Sequence, residues 1–120
     1  MKARKKLLIM IDWFEPGFKA GGPIRSIASM VHNLKDLYDI YVLTTDRDLN
    51  STEPYPGIPT DKWIDKDGFH VNYLSPAGLK YRNIARIMTE IAPATIYLNS
   101  MFSLPFTIYP LVARRSRLAP

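Results

Sequence analysis

The segment from Trp13 to Gly22 (WFEPGFKAGG) gathers the residue types best suited to holding a ligand. It follows an apolar run that ends in Asp12, and it leads into Pro23, which suits the first turn of a helix. Backbone N–H groups at such a helix start, together with the helix dipole, favour an anion such as a phosphate. Gly21 and Gly22 let an anion approach the backbone closely, and Arg25, one turn further on, offers a charge-assisted contact. A tight turn without any ligand uses the same glycines equally well. No G-x-G-x-x-G is present, so a dinucleotide fingerprint is absent. Gly17 and Gly22 have P-loop spacing, but Pro23-Ile24 stands where Lys-Ser/Thr is required, which excludes a P-loop NTPase.

Other chemistry is thin. The chain has no cysteine, so disulfides, thiolate metal sites and cysteine nucleophiles are excluded. His32 and His70 each lack a second His, Cys or carboxylate at metal-ligand spacing, so no metal is expected and both read as surface or hydrogen-bonded positions. Asp12 either lines a cleft at the end of its strand or holds the next loop. The stretch from Asp46 to Asp67 offers two readings. Asp46, Arg47 and Asp48 close over a ligand with Tyr55 and Trp63 stacking on it, or the stretch is a solvated loop anchored by one aromatic.

These residues need positioning elements. Lys6–Asp12 (KLLIMID) reads as a strand buried on both faces of a parallel sheet. Ile24, Ile27, Ala28, Val31 and Leu34 recur at helical spacing, which predicts a helix from about Pro23 to Asp36. Ile40–Thr45 and Phe69–Leu74 read as strands, and the proline-rich segment between them as a long connection. Ile84, Ile87, Met88 and Ile91 mark a second helix stopped by Pro93, and Thr95–Asn99 a fourth strand. A third helix opens at Ser103 and Pro105, is kinked by Pro110, and ends in Arg114, Arg115 and Arg117. The order β-α-β-β-α-β-α predicts an α/β fold, a mostly parallel Rossmann-like sheet with helices on its faces. At 120 residues the chain has room for one such domain.

Three segments resemble glycosyltransferase family four. Asp12 to Ala28, with its proline-containing loop and Gly-Gly pair before a helix, is similar to the family's first strand-loop-helix. Tyr38–Asp48 looks like its second strand, and Ala94–Ser103 its fourth strand and following loop. The likeness spans nearly the whole chain. It implies the N-terminal, acceptor-side half (residues 1–120) of a retaining two-domain GT-B enzyme. Such an enzyme moves a sugar from a nucleotide-sugar donor to a glycan or lipid-linked acceptor, in cell-surface polysaccharide synthesis. By the resemblance, Gly21, Gly22 and Arg25 face the donor diphosphate, and Asn99 and Ser100 occupy the place where many relatives carry histidine. Asn99 can hydrogen-bond a sugar but cannot act as a general base, so no catalytic residue is assigned.

The family's Glu-x₇-Glu donor pair is missing, since Glu15, Glu53 and Glu90 lack that spacing. The expectation is a truncated domain without the donor-binding half, inactive and poorly soluble alone, with no cofactor beyond the nucleotide-sugar co-substrate. No run of 18 apolar residues occurs, and Leu7–Ile11 after the basic start is too short for a signal peptide, which suggests a cytoplasmic protein; the net charge of +5 reads as solvated surface charge or a hint of anionic partners. Phe102, Phe106, Tyr109 and the three arginines give at most a weak peripheral contact with the inner membrane face. The competing reading is a non-catalytic Rossmann-like module for nucleotide or nucleic acid, or an inactive remnant. Against nucleic acid, no basic-aromatic stripe or known motif occurs.

Overall fold

The computed structural model describes residues 4–99 and 103–118, with side chains described as far as 113. Five strands form one sheet: β1 (Lys5–Met10), β2 (Tyr38–Thr45), β3 (Trp63–Lys66), β4 (Phe69–Leu74) and β5 (Thr95–Leu98). Their spatial order is β3-β4-β2-β1-β5. β1 pairs in parallel with β2 and β5, and β2 with β4, while β3 runs antiparallel to β4 at the edge. The α/β, Rossmann-like architecture anticipated from the element order is therefore present.

The strand period of two sorts the core into two halves. Leu7, Ile9 and Ile11 of the first strand and its extension face α1 (Gly22–Leu34), which buries Ile24, Ile27, Ala28 and Val31 against them. Leu8 and Met10 face the other way, against Ile84, Ile87, Met88 and Ile91 of α2 (Tyr81–Ile91). Each fully buried aliphatic side chain of this kind contributes about 1.5–3 kcal/mol. α2 ends where Ala92 adopts a left-handed conformation (φ 49°), directly before Pro93.

One expectation needs correction. The segment between the second and third anticipated strands is not a continuous loop, because Trp63–Lys66 turns back on Phe69 through the pair Asp67-Gly68. Both turn residues have positive φ (49° and 92°), as a type I′ hairpin turn requires. The third helix opens at Ser103, whose hydroxyl accepts the Phe106 N–H, but its first turn, over Leu104–Ile108, is a wide π-helical one in which the Tyr109 N–H reaches back to the Leu104 carbonyl; α3 (Tyr109–Leu118) continues directly from it, with Pro110 just past the wide turn.

Among the described residues no helix is long and apolar enough to cross a membrane. Of the aromatic residues weighed for membrane contact, Phe106 is fully buried and Tyr109 packs edge-on against Tyr81. Phe102 and the side chains of Arg114, Arg115 and Arg117 lie outside the described residues. The exposed apolar positions of this region are instead Leu104, Ile108, Leu111 and Val112.

Candidate functional site

The chain leaves β1 toward one face of the sheet, through α1, and leaves the adjacent β5 toward the other, where α3 packs by Ala113. At such a switch in direction the two loops diverge and leave a crevice beyond the carboxyl ends of the strands. A cleft of ≈ 310 Å³ occupies this position, and Asp12, Trp13, Lys19, Pro23 and Asn99 line it. Asn99 is fixed by its backbone N–H, which donates to the Met10 carbonyl at 3.1 Å. Its carboxamide and the Trp13 indole N–H have no hydrogen-bond partner among the described residues. Among the described residues the Lys19 ammonium makes one side-chain hydrogen bond, a long one of 3.4 Å to the Ser51 hydroxyl.

The loop that forms one wall is held rigidly from below. Asp48 is 8% exposed, and its carboxylate accepts the N–H groups of Phe18 (3.0 Å), Lys19 (3.3 Å) and Leu49 (2.8 Å). Burial alone would raise its pKa, but these three bonds and the nearby Lys19 ammonium outweigh it and hold the carboxyl below its ordinary value. Tyr55 donates its hydroxyl to the Phe14 carbonyl at 3.3 Å, and Tyr73 donates to the Glu15 carbonyl at 2.5 Å. Burial, with Asp48 and Asp46 nearby, pushes the Tyr55 phenol up to about 12, so it stays a neutral donor. Gly17 sits where a Cβ would collide with the Tyr55 hydroxyl, and the peptide bond between Glu15 and Pro16 is cis. Phe14 plugs the loop into the core, edge-on to Phe69 at 6.1 Å between ring centroids.

Of the two readings of the segment after Asp46, these contacts match the loop anchored by one aromatic, Tyr55, with Glu53, Pro54, Pro56 and Gly57 exposed; its first residues depart from a solvated loop. Asp46 (4% exposed) is paired with the Arg47 guanidinium at 2.8 Å, and Arg47 also donates to the Thr52 carbonyl at 2.6 Å. Both carboxylates belong to the scaffold. Tyr55 is likewise structural, and Trp63 packs edge-on against Tyr41 in the hairpin, outside the cleft.

Gly21 caps α1 with φ 70° and ψ −124°, a conformation that glycine alone adopts cheaply, and open space surrounds the Cα of both Gly21 and Gly22. The helix start offers fewer donors than the sequence suggests. Pro23 has none, and the N–H groups of Ile24 and Arg25 both turn to the Gly21 carbonyl (3.1 and 3.4 Å). Gly22 is left as the first-turn amide without a partner among the described residues. Arg25 is exposed on α1 and does not line the cleft, while Asn99 does. Ser100 lies outside the described residues. Lys19 and Trp13 line the cleft although sequence reasoning singled out neither. Their place between the end of β1 and the Gly-Gly pair was the available signal.

The two histidines are accounted for within the fold. His32 lies 3.9 Å from Glu15 and edge-on to Phe69. His70 bridges Asp65 (2.5 Å) and Asp39 (3.1 Å) and stacks on Tyr41 at 4.5 Å. Among the described residues no group of three His, Cys, Asp or Glu side chains is placed to hold a metal ion.

Comparison of the chain with protein-family models, curated proteins and solved structures returns no match. The site is therefore read from its own geometry and from the sequence resemblance.

Proposed function

We propose that this chain is the acceptor-side part of a retaining glycosyltransferase of the GT-B type. The observation that carries the reading is the cleft at the switch point between β1 and β5. A cation (Lys19) and two polar groups without a partner among the described residues (Asn99 and the Trp13 indole) converge there, and Ala20 and Pro23, which flank the open backbone of Gly21–Gly22, line it too. That set suits a sugar joined to a diphosphate. Lys19 and the Gly22 amide take negative charge, and Asn99 and Asp12 take hydroxyls. Lys19 replaces Arg25 as the side chain that meets the diphosphate, because only Lys19 lines the cleft.

In this reading the donor's base and sugar are read by a second domain carrying the Glu-x₇-Glu pair, a spacing that Glu15, Glu53 and Glu90 do not provide. The acceptor is a glycan or a lipid-linked sugar in cell-surface polysaccharide synthesis, met in the cytoplasm at the inner membrane face. By itself the chain binds a nucleoside diphosphate weakly and does not hydrolyse a nucleotide-sugar.

The test is an amide chemical-shift titration of the isotopically labelled chain with uridine and guanosine diphosphates. Saturable shifts at Lys19, Gly21, Gly22 and Asn99 are expected. Shifts confined to other surfaces, or none, would sink the reading. Salt-sensitive retention on heparin without those shifts would favour a nucleic-acid module instead.

A further inference from the structure

Among the described residues β5 (TIYL) is an edge strand. The Ile11 N–H donates to the Leu43 carbonyl of β2 at 3.1 Å, so the odd-numbered residues of β1 turn their backbone to β2 and the even-numbered ones to β5. The Asn99 N–H accordingly donates to the Met10 carbonyl at 3.1 Å. By the same alternation Thr95 and Tyr97 bond to β1, while Ile96 and Leu98 point their N–H and C=O groups outward, where no described strand meets them.

Both faces beside this edge are apolar. Ile96 and Leu98 pack on the side of α2 and α3, so Tyr97 points to the opposite face, where it is 42% exposed. On the α3 side, Leu104, Ile108, Leu111 and Val112 recur at helical spacing from the wide turn into α3, and each is about half exposed. Neither β5 nor this stripe carries a charge. These five side chains present on the order of 500 Å² per copy, so two copies that cover them clear the roughly 1,000 Å² expected of a specific interface.

The edge also complements itself. In an antiparallel pair about a two-fold axis at Tyr97, Ile96 of one copy exchanges both backbone bonds with Leu98 of the other, and Leu98 with Ile96. Every outward group of these residues is then used, and the two Tyr97 side chains meet as a closely spaced pair. The far edge of the sheet, β3, carries Asp65 and Lys66, which disfavour a head-to-tail chain of molecules. We propose that β5 is a self-association edge, joining two copies of this chain through Tyr97 into one continuous sheet. The strands of the two copies run in opposite directions, so the two clefts open at opposite ends of the joined sheet. The inference does not rest on the glycosyltransferase reading.

Sedimentation velocity from about 1 µM to 1 mM is expected to show a monomer passing to a dimer and to nothing larger. Tyr97→Lys sets like charges opposite one another across the axis and is expected to weaken association about tenfold or more. The chain has no cysteine, so Tyr97→Cys reports on one position. Air oxidation is expected to link it into a covalent dimer, because its Cβ atoms face each other across the axis. Thr95→Cys, set opposite Asn99 of the other copy, is expected to stay unlinked. If Tyr97→Lys fails to fold, the two cysteine variants decide alone. A chain that stays monomeric at every concentration overturns the proposal and leaves the edge to a different strand. So do open-ended assemblies, undiminished association in Tyr97→Lys, an unlinked Tyr97→Cys, or equal linking of both cysteine variants.

Discussion

The two ends of the sheet hold polar clusters of opposite character. At the amino ends of β2 and β4, His70 is gripped by Asp39 and Asp65, and Tyr41 covers it and donates its hydroxyl to Asp39 at 3.2 Å. Both ring nitrogens of the histidine have partners. At the carboxyl ends of β1 and β5, the supporting groups are just as fully engaged, but the groups they hold up are not. Asp48, Tyr55 and Tyr73 fix the loop, while Asn99 and the Trp13 indole N–H have no partner among the described residues. A histidine between two carboxylates looks like machinery in a residue inventory, and an asparagine does not. The structure reverses that ranking, because a group bonded on every side has no capacity left for a ligand, whereas a held but unpaired group does.

This contrast can be broken by substitution. The largest effect is expected from Phe14→Ala, which removes the ring that anchors the site loop in the core. The loss is about 3–5 kcal/mol, read by chemical denaturation, and the diphosphate shifts should go with it. Next comes Asp48→Asn, at about 1–3 kcal/mol, since three amides lose a charged acceptor. Asp48 also sets a pH dependence. Its folded pKa is lowered, so its stabilisation is present above the unfolded value of about 3.9 and disappears as pH falls through the folded one. The acid limb of the stability curve should flatten in Asp48→Asn, and an unchanged limb would remove the carboxylate from the scaffold.

His70→Ala should cost about 1–2 kcal/mol through its lost stacking and partners, yet leave the diphosphate shifts intact. A loss of those shifts would mean that the two ends of the sheet are not separate. The smallest stability change, within about 0.5 kcal/mol, is expected for the exposed Lys19→Gln. Here the diphosphate affinity should fall instead, together with its dependence on salt. A variant that destabilises the chain and binds normally would place Lys19 with the scaffold.

The fold was legible where one physical signal dominated. The run KLLIMID could bury both faces only inside a parallel sheet, and the Ile24, Ile27, Ala28, Val31 stripe had one face to bury. The β3–β4 hairpin carried a clear signal too, Asp67-Gly68 between alternating strands, but the prolines at 54, 56 and 59 led the whole stretch to be read as irregular. At the cleft, the place of Asn99 followed from its position at the end of a strand. Asp48 did not, because its partners lie 29 and 30 residues earlier and a carboxylate in a polar stretch reads as solvated. Trp13 reaches the cleft only through the anchoring of its loop by Phe14, Tyr55 and Tyr73, which no local pattern encodes.

The sheet's two margins also differ. β3 carries Asp65 and Lys66, and charges of this kind discourage another strand from docking. β5 (TIYL) pairs only with β1 among the described residues, has no charge or proline along it, and exposes Tyr97, with Leu104 and Ile108 also exposed on the following turn. An accreting strand therefore meets resistance at one margin and a bare backbone template at the other. Left uncovered, such a template gives the molecule a colloidal polarity: at high concentration it would join neighbours by one rim only, building pairs sooner than stacks.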